Sequence, residues 1–128
     1  VAGIRPPQGG HIQERAMIEL VMDGEATMAL SNRQAVEDWV RAAADLAGMH
    51  IIGTQSHVLP SGHDSGPGVT AFAVIAESHI AVHTWPETGM VRANIFSCYN
   101  FDVEAQVGLF TNMFGVTHLR TCQTVKRA

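Results

Sequence analysis

The sequence predicts an α/β domain of two layers, an α+β sandwich in which one antiparallel sheet carries both helices on the same face. Two observations predict this class. Apolar segments follow the order strand, helix, strand, strand, strand, strand, helix, strand along the 128 residues. The four central strand segments succeed one another without an intervening helix, which is typical of an antiparallel meander. With 46% hydrophobic residues, the chain is predicted to form one compact domain at positions 15–128.

The first fifty residues are predicted to contain an arm, a strand and a helix. Residues 1–14 carry Pro and Gly without periodicity and are predicted to form a flexible arm. The apolar segment 15–22 predicts the first strand. Ser31 and Gln34 resemble a capping box, and the apolar residues that follow recur at helical spacing as far as Gly48, where the helix is predicted to end.

The remaining chain is predicted to be mainly strands. Residues 50–58 have the composition of a strand, and the Gly- and Ser-rich segment 61–68 predicts a loop. Three further apolar segments of strand length complete the meander, at 69–76, 80–85 and 91–98. Asp102 is predicted to cap a second helix that ends at Gly115, and residues 117–125 predict the last strand. Because both helices cover one face, the other face of the sheet is left for a partner.

Charge and hydropathy exclude two classes of partner. Twelve acidic residues against eight basic ones give a net charge of −4 without a basic cluster, which excludes nucleic acid. No apolar run approaches the ~20 residues that span a bilayer, and the first residues lack the order of a signal peptide. We therefore predict a cytoplasmic protein with no membrane partner, for which a small cationic molecule is the favoured ligand. Two cysteines without C-x-x-C spacing are predicted to be free thiols.

Lys126 is the only lysine of the chain. Enzymes that use pyridoxal phosphate bind it through a buried lysine, and a lysine three residues from the end of this sequence is a poor candidate. We therefore predict no pyridoxal phosphate. An enzyme of amine chemistry with this composition must obtain its reactive carbonyl group elsewhere.

The segment ESHIAVHTWPE at 77–87 concentrates reactive side chains within a predicted strand. An edge strand with a polar face is the plainest interpretation. A metal site is a second one, but His79 and His83 would lie about 13 Å apart along a strand and cannot chelate one ion on their own, so no metal is predicted. A serine hydrolase is a third one, although a G-x-S-x-G elbow is absent and Ser78 and His83 begin on opposite faces of the strand.

This segment, followed by Ser97-Cys98, closely resembles the self-cleavage and active-site motif of the prokaryotic S-adenosylmethionine decarboxylases, which is E-S-H-x-x-x-H-T-W-P-E and then T-C-G. Weaker similarity extends over about residues 15–125. The resemblance implies a homodimer, or a higher homo-oligomer, in which two sheets pack face to face as a four-layer α/β/β/α sandwich with active sites near the interface. The second subunit would then cover the free sheet face.

The resemblance also implies a cofactor that the chain makes from itself, a pyruvoyl group generated from Ser78. The Ser78 hydroxyl can attack the carbonyl of Glu77 in an N-to-O acyl shift if a strained turn presents that carbonyl and a base accepts the proton. Elimination from the resulting ester leaves dehydroalanine, which tautomerises and hydrolyses to the pyruvoyl group. The chain would thus be cleaved between residues 77 and 78, and no lysine would be needed.

The resemblance assigns roles to matching residues. Ser78 is the source of the cofactor, His83 assists processing by removing the Ser78 α-proton, and Cys98 returns a proton to the substrate carbon after decarboxylation. Thr70 occupies the place of a family serine that helps self-cleavage. Cys122, by contrast, is predicted to be a small buried apolar residue.

The positions expected to contact the substrate match the family less well. Glu87 fits an acidic residue that binds ribose hydroxyls. Val58 replaces an aromatic residue that stacks on adenine, and Asp64 lies in a longer loop near the expected pocket. Asn94 and Tyr99 replace an acidic residue and a glycine of the family pattern, and Tyr99 or Phe72 is the candidate to cover the adenine ring instead.

The resemblance therefore favours a self-processing decarboxylase of S-adenosylmethionine, whose product donates aminopropyl groups for spermidine. The missing adenine stacker and the additional loop carboxylate keep L-arginine or L-ornithine decarboxylation open as an alternative. A non-catalytic paralogue that activates a sister subunit is a further alternative. The presence of Ser78, His83 and Cys98 together argues against it.

Overall fold

The computed structural model describes residues 17–28, 30–60 and 64–127, which form six strands and two helices. In chain order these are β1 Met17–Ala26, α1 Arg33–Leu46, β2 Ile51–Leu59, β3 Gly68–Ile75, β4 Ser78–Trp85, β5 Met90–Ser97, α2 Val103–Phe114 and β6 Val116–Arg127. The predicted order of elements is confirmed. The predicted arm at 1–14 lies outside the described residues, as do residues 61–63 of the predicted loop.

The six described strands form one antiparallel sheet in the order β2-β3-β4-β5-β1-β6. Strands β2 to β5 occupy consecutive places, as a meander without intervening helices requires. Strand β1 lies between β5 and β6, so the first described strand is inserted between strands from the second half of the chain. The pairing of β1 with β6 contains two register shifts, which begin after Asp23.

Alternation of side chains gives the sheet two different faces. On β1, β3, β4 and β5, every second residue is buried beneath the helices. Helix α1 packs over β2, β3 and β4, and α2 packs over β1 and β6, so both helices cover one face, as predicted. The opposite face is called the open face, and on β1, β3, β4 and β5 it includes Glu19, Val21, Asp23, Thr70, Phe72, Val74, His79, Ala81, His83, Trp85, Arg92, Asn94 and Phe96.

Helix α1 begins after Asn32, whose side-chain oxygen accepts a hydrogen bond from the Ala35 N–H at 3.1 Å. The predicted capping box of Ser31 and Gln34 is therefore wrong. Gln34 donates its side-chain N–H to Asp38 one turn later instead of reaching back. Asn32 lies three residues before the amide that it caps, which is the spacing that an N-cap needs.

The other helix boundaries agree with the sequence. Gly48 and Gly115 follow α1 and α2 with φ of 70° and 63°, a left-handed conformation that favours glycine. Asp102 caps α2 by accepting a hydrogen bond from Ala105 N–H at 3.0 Å. Among the described residues, neither helix is long and apolar enough to cross a membrane.

The hydrophobic core lies between the helices and the sheet, and an aromatic cluster connects α1 to α2. The ring of Trp39 lies 5.8 Å from the rings of Phe110 and Phe114, and all three side chains are fully buried. The Trp39–Phe110 pair is edge-to-face, and pairs of this kind add about 0.5–1.5 kcal/mol to the contribution of burial alone. The helices thus form a fixed layer on which the strands of the site are aligned.

The β1–β6 edge of the sheet is polar and exposed. Arg120 on β6 pairs with Glu25 on β1, and Arg92 on the neighbouring strand β5 pairs with Asp23 on β1. The hydrogen bond from Arg120 and its positive charge keep the pKa of the Glu25 carboxyl below its ordinary value. Cys122 is exposed on this edge, so its prediction as a buried residue is wrong. Nearly all residues of β6 after Val116 are exposed, because none of the described strands pairs with the outer side of β6.

Candidate active site

The predicted cleavage site lies at the turn between β3 and β4. Only Ala76 and Glu77 connect the two strands, whose last paired residues are Ile75 and Ser78. Glu77 has a φ of 62°, and among the described residues other than glycine it alone has a positive φ. This conformation costs about 1–2 kcal/mol for a residue with a side chain. The carbonyl group that Ser78 would attack therefore belongs to a strained residue.

The thiol of Cys98 contacts the same peptide unit. It donates a hydrogen bond to the main-chain carbonyl of Glu77, with 3.0 Å between Sγ and the oxygen. Cys98 directly follows β5 and is buried, as is Ser78 at the start of β4. The Ser97 hydroxyl fixes the bend after β5, because it donates to the Tyr99 carbonyl and accepts from the Tyr99 N–H. We call Glu77, Ser78 and Cys98 the cleavage-end group.

Thr70 and His83 meet at the other end of the same strands. They lie opposite each other on β3 and β4, with 3.0 Å between Thr70 Oγ1 and His83 Nδ1. When Nδ1 carries the ring proton and donates it to the threonine hydroxyl, Nε2 keeps its lone pair and can act as a base. His83 is exposed on the open face, so this nitrogen is accessible. We call Thr70 and His83 the histidine-end group.

The two groups are too far apart to act together within one chain. Ser78 and His83 are the first and sixth residues of β4, which places them about 16 Å apart at ~3.3 Å per residue. Their side chains also lie on opposite faces, since Ser78 is buried beneath the helices and His83 is exposed on the open face. The structure brings Cys98 to the cleavage turn and Thr70 to His83, but it does not bring His83 to Ser78.

The candidate substrate-contacting residues are divided between the same two ends. Asp64 and Glu87 are exposed in the connections at the histidine end, after β2 and after β4. Tyr99 is exposed at the cleavage end, directly after Cys98. Val58 lies on the helix side of edge strand β2, because it pairs with the buried Val69, so its side chain is not part of the open face.

A third cluster, around His79, is not predicted by the sequence analysis. His79 Nε2 lies 2.9 Å from Asn94 Oδ1, and the Asn94 amide donates to the carboxylate of Glu19. The imidazole ring stacks between the rings of Phe72 and Phe96. These five residues are called the His79 cluster. These residues come from four strands. The alternation of side chains along each strand predicts only the face on which a residue lies, whereas the register between strands decides which residues are neighbours.

The residues of the cleavage-end and histidine-end groups lie within a region of the chain that matches a known protein family. The family model described as S-adenosylmethionine decarboxylase matches residues 16–128, which is nearly the whole chain. The chain belongs to the S-adenosylmethionine decarboxylase family. The resemblance found in the sequence is thereby confirmed, and the matched residues include every member of the cleavage-end group and of the histidine-end group.

Archaeal relatives in the S-adenosylmethionine decarboxylase family match the chain over part of their length. The S-adenosylmethionine decarboxylase proenzyme of Methanococcus aeolicus is 41% identical over 70 residues, covering 55% of this chain and 56% of the relative. The protein of the same description from Saccharolobus solfataricus is 35% identical over 69 residues, covering 54% of this chain and 51% of the relative. The matched part of the chain thus spans little more than half the length of these relatives.

A solved structure in the S-adenosylmethionine decarboxylase family has the same architecture. The crystal structure of the adenosylmethionine decarboxylase from Aquifex aeolicus superimposes with a TM-score of 0.75, covering 91% of this chain and 93% of that chain. The two sequences are 16% identical, so the likeness shows the fold alone. It confirms the predicted two-layer α/β class.

Proposed function

We propose that this protein is a self-processing, pyruvoyl-dependent decarboxylase that acts on S-adenosylmethionine, with a product that serves as aminopropyl donor for spermidine. The observation that carries the proposal is the hydrogen bond from the Cys98 thiol to the Glu77 carbonyl, within a strained turn directly before Ser78. Membership of the family and the proenzyme descriptions of the archaeal relatives support the same activity.

The cleavage-end group fits a cofactor made from Ser78. Ser78 begins a central strand after a two-residue turn, so a cut before it leaves the new chain end within the sheet and beside Cys98. A pyruvoyl group at position 78 supplies a ketone that binds the substrate amine and accepts the electron pair left when CO₂ departs. Lys126 is exposed on edge strand β6, where it offers no enclosed site for pyridoxal phosphate.

Cleavage proceeds through groups of the chain itself. The Ser78 Oγ attacks the Glu77 carbonyl carbon, the amide C–N bond breaks, and the nitrogen gains the hydroxyl proton, which leaves an ester. A base then removes the Ser78 α-proton and Glu77 departs as a carboxylate. The remaining dehydroalanine takes up water and releases ammonia. Cys98 assists the first step because its S–H donates to the oxygen on which negative charge develops.

His83 is the base that we assign to the α-proton, and a second copy of the chain must supply it. Two copies packed through their open faces, about a two-fold axis that lies across the strands, place the histidine end of one beside the cleavage end of the other. The exposed rings and aliphatic groups of the open face, Phe72 and Val74 among them, support this packing because they have no cover within the described chain.

During turnover, binding and proton transfer are assigned to different residues. The carboxylate of Glu87, exposed beyond β4 at the histidine end of the second copy, accepts hydrogen bonds from the ribose hydroxyls of S-adenosylmethionine. The ring of Tyr99 covers the adenine face, since Val58 offers no aromatic ring. The thiol of Cys98 returns a proton to the substrate carbon that has lost CO₂.

The alternative substrates are L-arginine and L-ornithine. They are favoured by Asp64, an exposed carboxylate in the connection between β2 and β3, because a small cationic amino acid needs an acceptor for its terminal charge. S-Adenosylmethionine remains the first choice since both the family and the relatives carry its name.

Mass spectrometry of the purified protein and a comparative CO₂ assay test these proposals. We expect two pieces that meet at the Glu77–Ser78 junction, and we expect Ser78→Ala to remain one uncleaved chain without decarboxylase activity because the nucleophile is absent.

S-Adenosylmethionine, arginine and ornithine are then compared for CO₂ release. An uncleaved wild-type chain would contradict self-processing and support the non-catalytic paralogue. Release from arginine or ornithine alone would replace the substrate.

A further inference from the structure

We infer that His79 is a positioning residue that anchors the new chain end at position 78 after the Glu77–Ser78 bond is cut. The inference rests on the proposed self-cleavage and assigns a task to a residue that takes no part in the cleavage steps. Its side chain lies on the open face, whereas that of Ser78 lies beneath the helices, so His79 acts on the site through the backbone.

Strand pairing makes His79 the first firmly held residue of the cut strand. Ser78 pairs with Ile75 of β3, but the pairing of β4 with β5 begins only at the next residue. His79 lies between Val74 on β3 and Phe96 on β5. Cleavage removes the covalent connection on one side of position 78, so the motion of that residue is then limited mainly by what immobilises His79.

The side chain of His79 is fixed by its neighbours in the His79 cluster. Its ring lies 5.6 Å from the ring of Phe72 and 5.5 Å from that of Phe96, with interplanar angles of 22° and 26°. The Glu19 carboxylate accepts a hydrogen bond from the Asn94 NH₂ group, so the Asn94 oxygen faces the imidazole. That oxygen can only accept, and therefore His79 Nε2 carries a proton and donates it.

The His79 cluster also bridges the two pieces that cleavage creates. Glu19 and Phe72 belong to the piece before the cut, whereas Asn94 and Phe96 belong to the piece after it. His79 contacts both through its ring, and Asn94 extends the connection to β1. The cluster thus replaces, by side-chain contacts, the connection that the cut turn no longer provides.

Hydrogen–deuterium exchange tests this inference by comparing cleaved and uncleaved protein. In the cleaved protein, His79→Ala is expected to accelerate exchange of the amides at 79–82 by about tenfold or more, because the free energy needed to open the new chain end locally is lower. In the uncleavable Ser78→Ala background the turn still connects β3 to β4. There the same substitution is expected to change exchange by less than about twofold.

Kinetics of the cleaved enzyme give a second measurement. We expect His79→Ala to lower kcat about tenfold while intact mass shows complete cleavage. Displacement of the reactive group at position 78 slows turnover, but it does not prevent the earlier cut. Asn94→Leu should have a similar effect, and the double variant should lose little more than either single variant because both remove the same contact.

His79→Gln, which keeps an N–H donor, should recover part of kcat. His118→Ala, an exposed histidine on β6 outside the cluster, is the matched control and should change neither measurement.

Equal acceleration of exchange in the cleaved and uncleaved backgrounds would overturn the inference, since His79 would then have a general structural role. Unchanged exchange in both would overturn it as well. If His79→Ala does not fold, His79→Gln and Asn94→Leu allow the same comparison between the two backgrounds. Failure of the unsubstituted protein to cleave would instead contradict the proposed function, so the two failures are distinguishable.

Discussion

A thiol is a weak hydrogen-bond donor, yet the Cys98 thiol donates to the Glu77 carbonyl in the uncut chain. The proposed mechanism uses the same thiol again after decarboxylation, as an acid. These two tasks make different demands: the first needs only a donor in place, whereas the second needs a group that gives up its proton. Substitution can therefore separate them.

Cys98→Ala should still permit cleavage, only several-fold more slowly than in the wild type because a weak donor has been lost. Decarboxylation should fall by about 100-fold or more, since general acids contribute about 10²–10⁴-fold. Intact mass against time measures the first rate and CO₂ release the second. Cys98→Ser is the matched control: its hydroxyl restores the donor and the cleavage rate, but it is too weak an acid to restore turnover. Undiminished turnover of Cys98→Ala would show that another group donates the proton.

In the proposed mechanism, His83 Nδ1–H donates to the Thr70 hydroxyl, which leaves Nε2 free to act as the base. Thr70→Val keeps the shape of the side chain but removes the acceptor for Nδ1–H, so the ring loses the contact that favours the reactive tautomer. We expect cleavage to slow by about tenfold, a modest part of what a general base contributes. Thr70→Ser should cleave at nearly the wild-type rate. Equal half-times for the valine and threonine proteins would exclude this role.

At the scale of elements, the turn between β3 and β4 is tight and strained at the same time. Glu77→Gly should relieve the strain at φ 62°, at the cost of a more flexible unfolded chain. In the uncleavable Ser78→Ala background, we expect the free energy of unfolding to rise by about 0.5–1 kcal/mol, as urea denaturation would measure. Ala76→Gly, in the same turn but without positive φ, should lower it. A lower stability for Glu77→Gly would mean that the glutamate side chain stabilises the turn by more than the strain costs.

Regular elements and helix ends could be predicted here because local patterns determine them. Asp102, Gly48 and Gly115 have the predicted roles, since a cap or a left-handed residue needs only its neighbours. Asn32 replaces the predicted cap because two adjacent residues can both serve as N-cap by residue type, and Asn32 is the one that accepts from Ala35 N–H. The exposure of Cys122 depends on β6 being an edge strand, which is a property of the sheet order.

The candidate site could be predicted as a set of residues but not as an arrangement. The motif names Ser78, His83 and Cys98, and the odd spacing of the first two already indicates opposite faces. Contact between Cys98 and the Glu77 carbonyl follows from the bend after β5, which no pattern in the sequence encodes. The His79 cluster needs the register of four strands, and register is a long-range property.

At the scale of the whole molecule, the separation of Ser78 from His83 predicts complementation between inactive chains. Neither Ser78→Ala nor His83→Ala should cleave efficiently alone. In a heterodimer, the serine of the His83→Ala chain faces the histidine of the Ser78→Ala chain, so random pairing at equal amounts should cleave about half of the His83→Ala chains. Mass spectrometry of coexpressed chains measures this fraction. As a control, the Ser78→Ala/His83→Ala double variant is coexpressed with His83→Ala in place of Ser78→Ala. It supplies no His83 to the partner, so no chain should be cleaved. Absence of cleavage in the mixture, with both chains folded, would contradict the shared site.

The position of β1 between β5 and β6 gives the proposed cleavage a consequence for refolding. A cut before Ser78 divides the sheet into two interleaved polypeptides, one with β1, β2 and β3 and the other with β4, β5 and β6. The precursor folds as one molecule, with β1 already tethered to its neighbours. After denaturation of the mature protein, the two polypeptides must find each other, so recovery becomes a second-order process whose rate depends on concentration. The proposed cleavage would thus remove the covalent connection through which the precursor folds as one molecule.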